Sequence, residues 1–233
     1  AKEFGNINAL INNVALDSVP IAVAPSGLFV VGFHRDSDIQ TEIQIIQPDG
    51  QIKRTALLPK QRHYNIQHID GLEKKMVTPP TSVLNRIKKD SAAVAMARQK
   101  PAPIGDFWQG LDWPVIGQIS GLYGSQRILN GKPRRPHYGV DIAAPSGTPI
   151  HAPASGTVTL VKDLYFSGWT VIMNHGLNLN STFLHLNTVA VNVGDSLSRG
   201  ASIGTVGSTG RSTGPHLDWR LDWLGRRIDA GLV

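Results

Sequence analysis

From residue 18 to about 70, short runs of β-branched and apolar residues alternate with turn residues. "GLFVVGF" (27–33) and "TEIQIIQPDGQIKRTALL" (41–58) are the clearest, the second broken by Pro48-Asp49-Gly50. Such a break between two strand-like runs predicts a hairpin. "RHYNIQHI" (62–69) predicts a further strand. The pattern defines a small all-β unit over 1–75, with a sandwich as the expected arrangement. Pro79-Pro80 then ends the strand texture, and Thr81 or Ser82 offers an N-cap to "VLNRIKKDSAAVAMARQ". That stretch predicts a helix, stopped before Pro101 and Pro103, within a linking segment 76–112 that braces two domains. From about Trp113, Gly and Pro become frequent between short apolar runs such as "GTPIHAPASGTVTLV", "GWTVIMNHG" and "VAVNVGDSLSRGASIGTVGSTG". Regularly spaced strands with Gly turns predict an antiparallel β domain over 113–233. The fold class is therefore mainly β.

Composition narrows the function classes. A chain of 233 residues with 41% hydrophobic and 17% charged residues is that of a folded protein of one or two domains. The formal charge of +6 suits an anionic partner, whether nucleic acid, an anionic membrane surface or an acidic wall polymer. The densest basic cluster, "KPRR" at 132–135, is too short for a nucleic-acid arm, and no nucleic-acid partner is expected. The absence of cysteine excludes a disulfide scaffold and a thiolate-bound zinc. No apolar run reaches the roughly 18 residues of a membrane span, so no integral membrane segment is expected. The chain starts at Ala1, which leaves room for a removed leader.

Five of the eight histidines lie from position 137 onward. In "HYGVD", His137 and Asp141 are spaced i, i+4, which puts them on one side of a helix or a strand, and the following "IAAPSG" favours extended chain. In "GPHLDW", His216 and Asp218 are spaced i, i+2 and share a strand face. His185, in "STFLHL", is expected on the face of Phe183, with Leu184 and Leu186 opposite. Antiparallel neighbours about 5 Å apart could gather these groups in one cleft. Catalytic zinc takes three ligands from His, Asp or Glu and leaves a position for water. A nearby histidine can then serve as base or oxyanion stabiliser, and the inventory matches amide hydrolysis. Plainer roles suit the other groups: a turn for His175, sheet packing for His151, a self-bonded turn for Asp195, and pairing of Asp222 and Asp229 with Arg226 and Arg227. His63 and His68, at odd separation, make a poor joint metal site. Trp219 and Trp223, four apart, suggest aromatic packing or a ligand rim.

"RRPHYGVDIAAPSGTPIHAPASGTV", then "HG" and "STFLHL", then "VNVGDSLSRGASIGTVGSTGRSTGPHLDWRL" together resemble the LytM/lysostaphin-type zinc endopeptidases that cleave peptidoglycan cross-bridges. The resemblance covers roughly residues 113–225. It implies an antiparallel β domain with a narrow groove, preceded by an accessory or regulatory region. It implies His137 and Asp141 as metal ligands and His185 and His216 as catalytic histidines. The family's second His of a His-x-His pair corresponds here to Asp218. Aspartate is a competent zinc ligand, but two carboxylates would formally neutralise the ion, raise the pH at which water ionises, and favour zinc less strongly over manganese. Loops near 123–136, 163–169 and 208–215 would wall the groove. Arg127, Lys132, Arg134 and Arg135 would attract the carboxylates of a peptidoglycan peptide or form a solvated basic loop; Ser208 and Thr213 suit contacts to its backbone. A shielding N-terminal region would present Asn65, His68, His63 or Asp70 to the open metal position. The resemblance also implies a periplasmic or secreted location. Two other readings stay open. One is an inactive peptidoglycan-binding or hydrolase-activating protein on the same fold. The other is a biotinyl- or lipoyl-type carrier, which "HAPASGTV" and "VNVGDSLSRG" resemble, but whose modified lysine would have to be Lys162 in a strand-like setting.

Overall fold

Four strands form the N-terminal unit, which spans Ala1–Arg62: β1 (Asn13–Leu16), β2 (Val19–Ile21), β3 (Thr41–Ile46) and β4 (Ile52–Leu57). The computed structural model describes residues 13–17, 19–37, 40–47 and 49–232. The strands lie in the order β2-β1-β3-β4, with antiparallel pairing between β1 and β3 and between β3 and β4. The expected hairpin is present: Gln47 N donates to Gln51 O at 2.9 Å, and Gly50 takes a φ of +83°. That left-handed backbone is the reason for glycine there. Val14, Leu16 and Ile43 are buried, whereas β4 is exposed almost throughout. Its Lys53 and Arg54 suit an edge strand, where charge discourages pairing with another chain. Two expectations differ. "GLFVVGF" forms no strand; it makes only a bridge, Val23 to Phe29, because Ala24 and Leu28 close a turn between them. The unit is a single sheet among the described residues and not a sandwich.

The larger unit spans His63–Val233. It opens with β5 (Ile66–Ile69), a four-residue helix α1 (Lys74–Val77), a 3-10 turn over Thr81–Val83, and α2 (Leu84–Gln99). The pattern reading put residues 63–75 with the first unit. It detects a strand there but not its partner, which is β7 (below), in parallel pairing. Neither Thr81 nor Ser82 caps α2 through its side chain, since the 3-10 turn occupies the helix start. Ala93, Val94 and Ala97 of α2 pack on Leu160, Leu164 and Ile172, so the helix braces the sheet of its own unit.

The remaining strands are β6 (Gln118–Gly121), β7 (Gln126–Leu129), β8 (Lys132–Pro133), β9 (Val140–Ala143), β10 (Pro149–His151), β11 (Gly156–Leu164), β12 (Gly168–Asn174), β13 (Leu179–Leu186), β14 (Thr188–Val189), β15 (Ser196–Leu197), β16 (Ser202–Thr205), β17 (His216–Trp223) and β18 (Arg226–Ile228). The main sheet runs β15-β11-β12-β13-β17-β9-β6, with β18 on β17. A second layer, β10-β16-β14, supplies Ile150 and Ile203 to the core formed with Ile142, Val171, Phe183, Leu217 and Trp219. Lys162 lies within β11, paired with Thr170 and 3.4 Å from Asp90, not at a hairpin tip as a carrier lysine would be.

Candidate metal and hydrolytic site

Strand β17 reads His216-Leu217-Asp218-Trp219-Arg220-Leu221-Asp222-Trp223, a strict alternation. The strand period sends Leu217, Trp219, Leu221 and Trp223 to one face, where all four are buried. His216, Asp218, Arg220 and Asp222 take the other. β9 pairs antiparallel with β17 so that Asp141 stands directly opposite Asp218. Two like charges directly opposite are destabilising in a sheet. Their burial, 6% exposed for Asp141 and 1% for Asp218, sharpens the conflict.

His137, just before β9, completes the cluster. Its Nε2 lies 3.0 Å from Asp141 Oδ1 and 3.4 Å from Asp218 Oδ1. The 3.0 Å contact is an ion-pair distance without hydrogen-bond alignment, so neither ring nitrogen of His137, nor Asp141 Oδ1, makes a well-formed hydrogen bond, although all three are buried. One donor atom from each of His137, Asp141 and Asp218 falls within 4.8 Å of the others. Unsatisfied buried groups of this kind, converging on one point, fit a divalent cation. Burial alone would push the His137 imidazole down, but the Asp218 and Asp141 carboxylates outweigh it and raise it above its ordinary value. Against burial, Arg220 and His137 hold the Asp218 carboxyl well below the usual range. Asp141 is also lowered: burial and Asp218 push it up, and His137 and Arg127 prevail.

Two arginines take the outer sides of the carboxylates. Arg127 ion-pairs with Asp141 Oδ2. Arg220 donates from Nε to Asp218 Oδ1 at 2.9 Å and to Oδ2 at 3.1 Å, and from Nη2 to Oδ2. Two glycines give them room. A Cβ on Gly121 would collide with Asp141 Oδ2, and one on Gly139 with Asp218 Oδ1 and Arg220 Cγ.

His185 and His216 stand beside the cluster, with ring centroids 4.8 Å apart. His185 has a φ of +65°, rare for a side-chain-bearing residue and typical of functional sites. The kink breaks the strand alternation, so Phe183 and Leu186 both join the core, and the expected sharing of a face by Phe183 and His185 does not hold. His185 Nδ1 sits 2.7 Å from Thr209 O. A carbonyl only accepts, so Nδ1 carries the proton and Nε2 keeps its lone pair. Burial, reinforced by His216, lowers His185 to about 4, which leaves it neutral at neutral pH. His216 Nδ1 faces Gly214 O at 2.9 Å and Ser212 Oγ at 3.2 Å, while its Nε2 lies 3.8 Å from Asp141 Oδ1.

These groups open onto a cavity of about 340 Å³, whose lining includes Gln67, Arg127, Asp141, His185, Thr213 and His216. Thr213 is an exposed part of its wall; Ser208, also exposed, donates to Ser212 Oγ at 3.1 Å. Arg127 is turned inward, held by Gln67 Oε1 at 3.1 Å. Arg134 donates to Val77 O at 2.8 Å, and Arg135 is exposed. Of the four shielding candidates, exposed Asn65, His68, His63 and Asp70, none lines the cavity; Gln67 and Ile69, on the other face of β5, do. The three wall loops are tied to one another through α1. Lys75 O accepts from Tyr165 Oη at 3.0 Å, Met76 O from Arg211 at 3.3 Å and Val77 O from Arg134 at 2.8 Å. Carbonyls at a helix C-terminus need such partners.

The plainer assignments also have places. His175 is fully buried, bonded to Ser155 O at 2.9 Å and Ser181 Oγ at 2.8 Å, and burial lowers it to about 4. Asp195 accepts from Asn192 N at 2.8 Å, holding its own turn. His151 Nδ1 lies 3.0 Å from Gly200 O. Asp222 lies 3.9 Å from Arg227 and 3.8 Å from Arg98. Asp229 bonds Gly231 N at 2.9 Å. The sequence reading missed Arg220, Gln67 and Ser212. Only Arg220 carried a signal, its i+2 spacing from Asp218.

Residues 135–230, which include His137, Asp141, His185, His216 and Asp218, match the model of peptidase family M23. The peptidoglycan DD-endopeptidase ShyA of Vibrio cholerae is 40% identical over 95 residues, which cover 41% of this chain and 22% of that protein. The DD-carboxypeptidase/endopeptidase Mpg of Neisseria meningitidis is 41% identical over 95 residues, again 41% of this chain and 22% of that one. The chain thus matches about a fifth of the length of these curated relatives. A crystal structure from Pseudomonas aeruginosa, assigned to peptidase M23, superposes with a TM-score of 0.67 at 26% identity, covering 94% of this chain and 86% of that one.

Proposed function

We propose that the chain is a zinc-dependent endopeptidase that hydrolyses peptide cross-links of peptidoglycan outside the cytoplasmic membrane. The observation that carries this is the convergence of His137, Asp141 and Asp218, with unsatisfied buried donor atoms, beside two histidines in one groove. Those three residues would hold the ion, zinc or the harder manganese. When bound, the metal supplies Lewis acidity to the scissile carbonyl and acidifies water. His185 Nε2, with its lone pair free, takes the proton of the attacking water. His185 Nε2 then passes that same proton to the leaving amine, while His216, whose Nε2 faces the same space, would donate to the developing oxyanion in its imidazolium form. The endopeptidase names of the relatives support this reaction class. Exposed Arg135 and Thr213 remain suited to the substrate peptide. Arg127 and Arg134 would have to leave Asp141 and Val77 first. The extracytoplasmic setting follows from the substrate, and among the described residues no helix is long and apolar enough to cross a membrane.

A second reading has one observation in its favour. Arg127 on Asp141 and Arg220 on Asp218 already balance both carboxylates, as a metal-free peptidoglycan-binding protein would require. Zinc-loaded protein incubated with purified cross-linked muropeptide dimers separates the two. Mass spectrometry should show monomers with a newly freed amine. Dimers that bind and stay intact would leave the binding protein.

A further inference from the structure

Asp218 is not alone in its departure from a neutral ligand: its neighbour on the same strand face is an arginine. We propose that Arg220 sets the charge of the cation site, acting through Asp218 so that the pair brings one carboxylate oxygen with the formal charge of a neutral ligand. The inference rests on the zinc site described above and goes beyond it.

Four observations lead here. Asp218 is 1% exposed and faces Asp141 across the sheet, so it needs a counter-charge independent of any ion. Arg220 grips it through both Nε and Nη2, a planar fork that fixes the carboxylate plane. That grip leaves Asp218 Oδ1 3.4 Å from His137 Nε2, toward the other ligand atoms. The space for the pair comes from Gly139, between His137 and Asp141, where any side chain would strike both members. Counted formally, Asp218 brings −1 and Arg220 brings +1, so the pair adds nothing to the charge of a site held otherwise by one histidine and one carboxylate. Arg127 adds a separate cation on Asp141 from the groove side. Lysine could not replace the fork, since it offers a point charge and not two coplanar donors.

The cation of Arg220 therefore opposes zinc and is offset chiefly by Asp218, the carboxylate it holds. The test is zinc affinity by competition calorimetry, on variants whose metal-free circular dichroism matches that of the unmodified chain. Asp218→His supplies a good neutral ligand but strands the guanidinium beside the ion, and should bind zinc at least ten-fold more weakly. Asp218→His with Arg220→Gln should return to within about three-fold of the unmodified chain, given that a 1.4 kcal/mol difference is ten-fold. Arg220→Gln alone keeps the carboxylate, removes the opposing cation, and should bind zinc more tightly. It serves as the second test if Asp218→His does not fold. Equal affinity of Asp218→His and the double variant, or weaker binding by Arg220→Gln, would overturn the proposal while leaving the zinc site in place. An unmodified chain that takes up no zinc would overturn both.

Discussion

The two faces of β17 bury their side chains by opposite means, four on one face and Asp218 and Asp222 on the other. Leu217, Trp219, Leu221 and Trp223 are 0 to 1% exposed and, apart from the Trp219 indole N–H, need only shape from their neighbours. Trp113 meets Trp219 edge-on at 5.8 Å, and Ser181 accepts the indole hydrogen at 3.3 Å. On the other face, Asp218 and Asp222 are buried to the same degree, but each charge depends on a partner: Arg220 for Asp218, Arg98 and Arg227 for Asp222. The apolar face gains from every contact. The charged face gains only while its pairs are complete, since removing one member leaves a buried charge behind. A folded strand tolerates such a face where the charges are put to use, and here its first group, His216, lines the groove with Asp218 buried just behind it.

The largest effect that would break the comparison is loss of activity with the fold retained. His185→Ala should lower turnover of cross-linked muropeptide by about 10²–10⁴-fold, the usual contribution of a general base, far beyond what its fall in urea midpoint accounts for. An equal fall in stability and activity would make His185 a packing residue. Next comes the pair itself. In metal-free protein, Arg220→Met should cost about 3–5 kcal/mol in urea unfolding, because Asp218 stays behind as an uncompensated charge. Leu221→Ala, one position along and facing the core, should cost about 2–5 kcal/mol through lost burial and the cavity it leaves.

A pH series sharpens the contrast between these two substitutions. The Leu221→Ala deficit should be the same at every pH. Asp218 has a depressed folded value, so its contribution is present above the ordinary carboxylate range and is lost as pH falls through the folded value. Deleting the pair should therefore matter less in acid. His175, away from both faces, provides a control. Burial lowers it to about 4 from 6.5, so it stabilises the fold above pH 6.5, and that contribution, on the order of 3 kcal/mol, is lost as pH falls toward 4. His175→Gln should flatten the urea midpoint over that interval. The smallest effect belongs to the surface. Arg86 and Asp163 pair at 2.8 Å but are 47% and 52% exposed, and Arg86→Ala should cost no more than about 1 kcal/mol.

Local pattern was enough for much of this protein. The Pro48-Asp49-Gly50 hairpin, the helix before Pro101 and the Gly-punctuated strands are visible because turn chemistry and period act within a few residues. The order of His137, Asp141, His185, His216 and Asp218 also lies in the chain, as does the one-sided spacing of each short pair. Partners and depth do not. Nothing within residues 63–69 says that β5 pairs with β7, and the alternation through "STFLHL" hides the kink at His185, which exists because Thr209 and Ser167 hold that residue from other strands and loops. Arg127 has the composition of a surface arginine, yet it turns onto Asp141. Above all, the sequence shows an aspartate where the pattern it resembles has a histidine, and an arginine two residues on. Only the sheet register, which sets Asp218 against Asp141 in a buried place, requires the arginine to answer the carboxylate, because the cost of a charge depends on what lies across the strand and how far water is kept away.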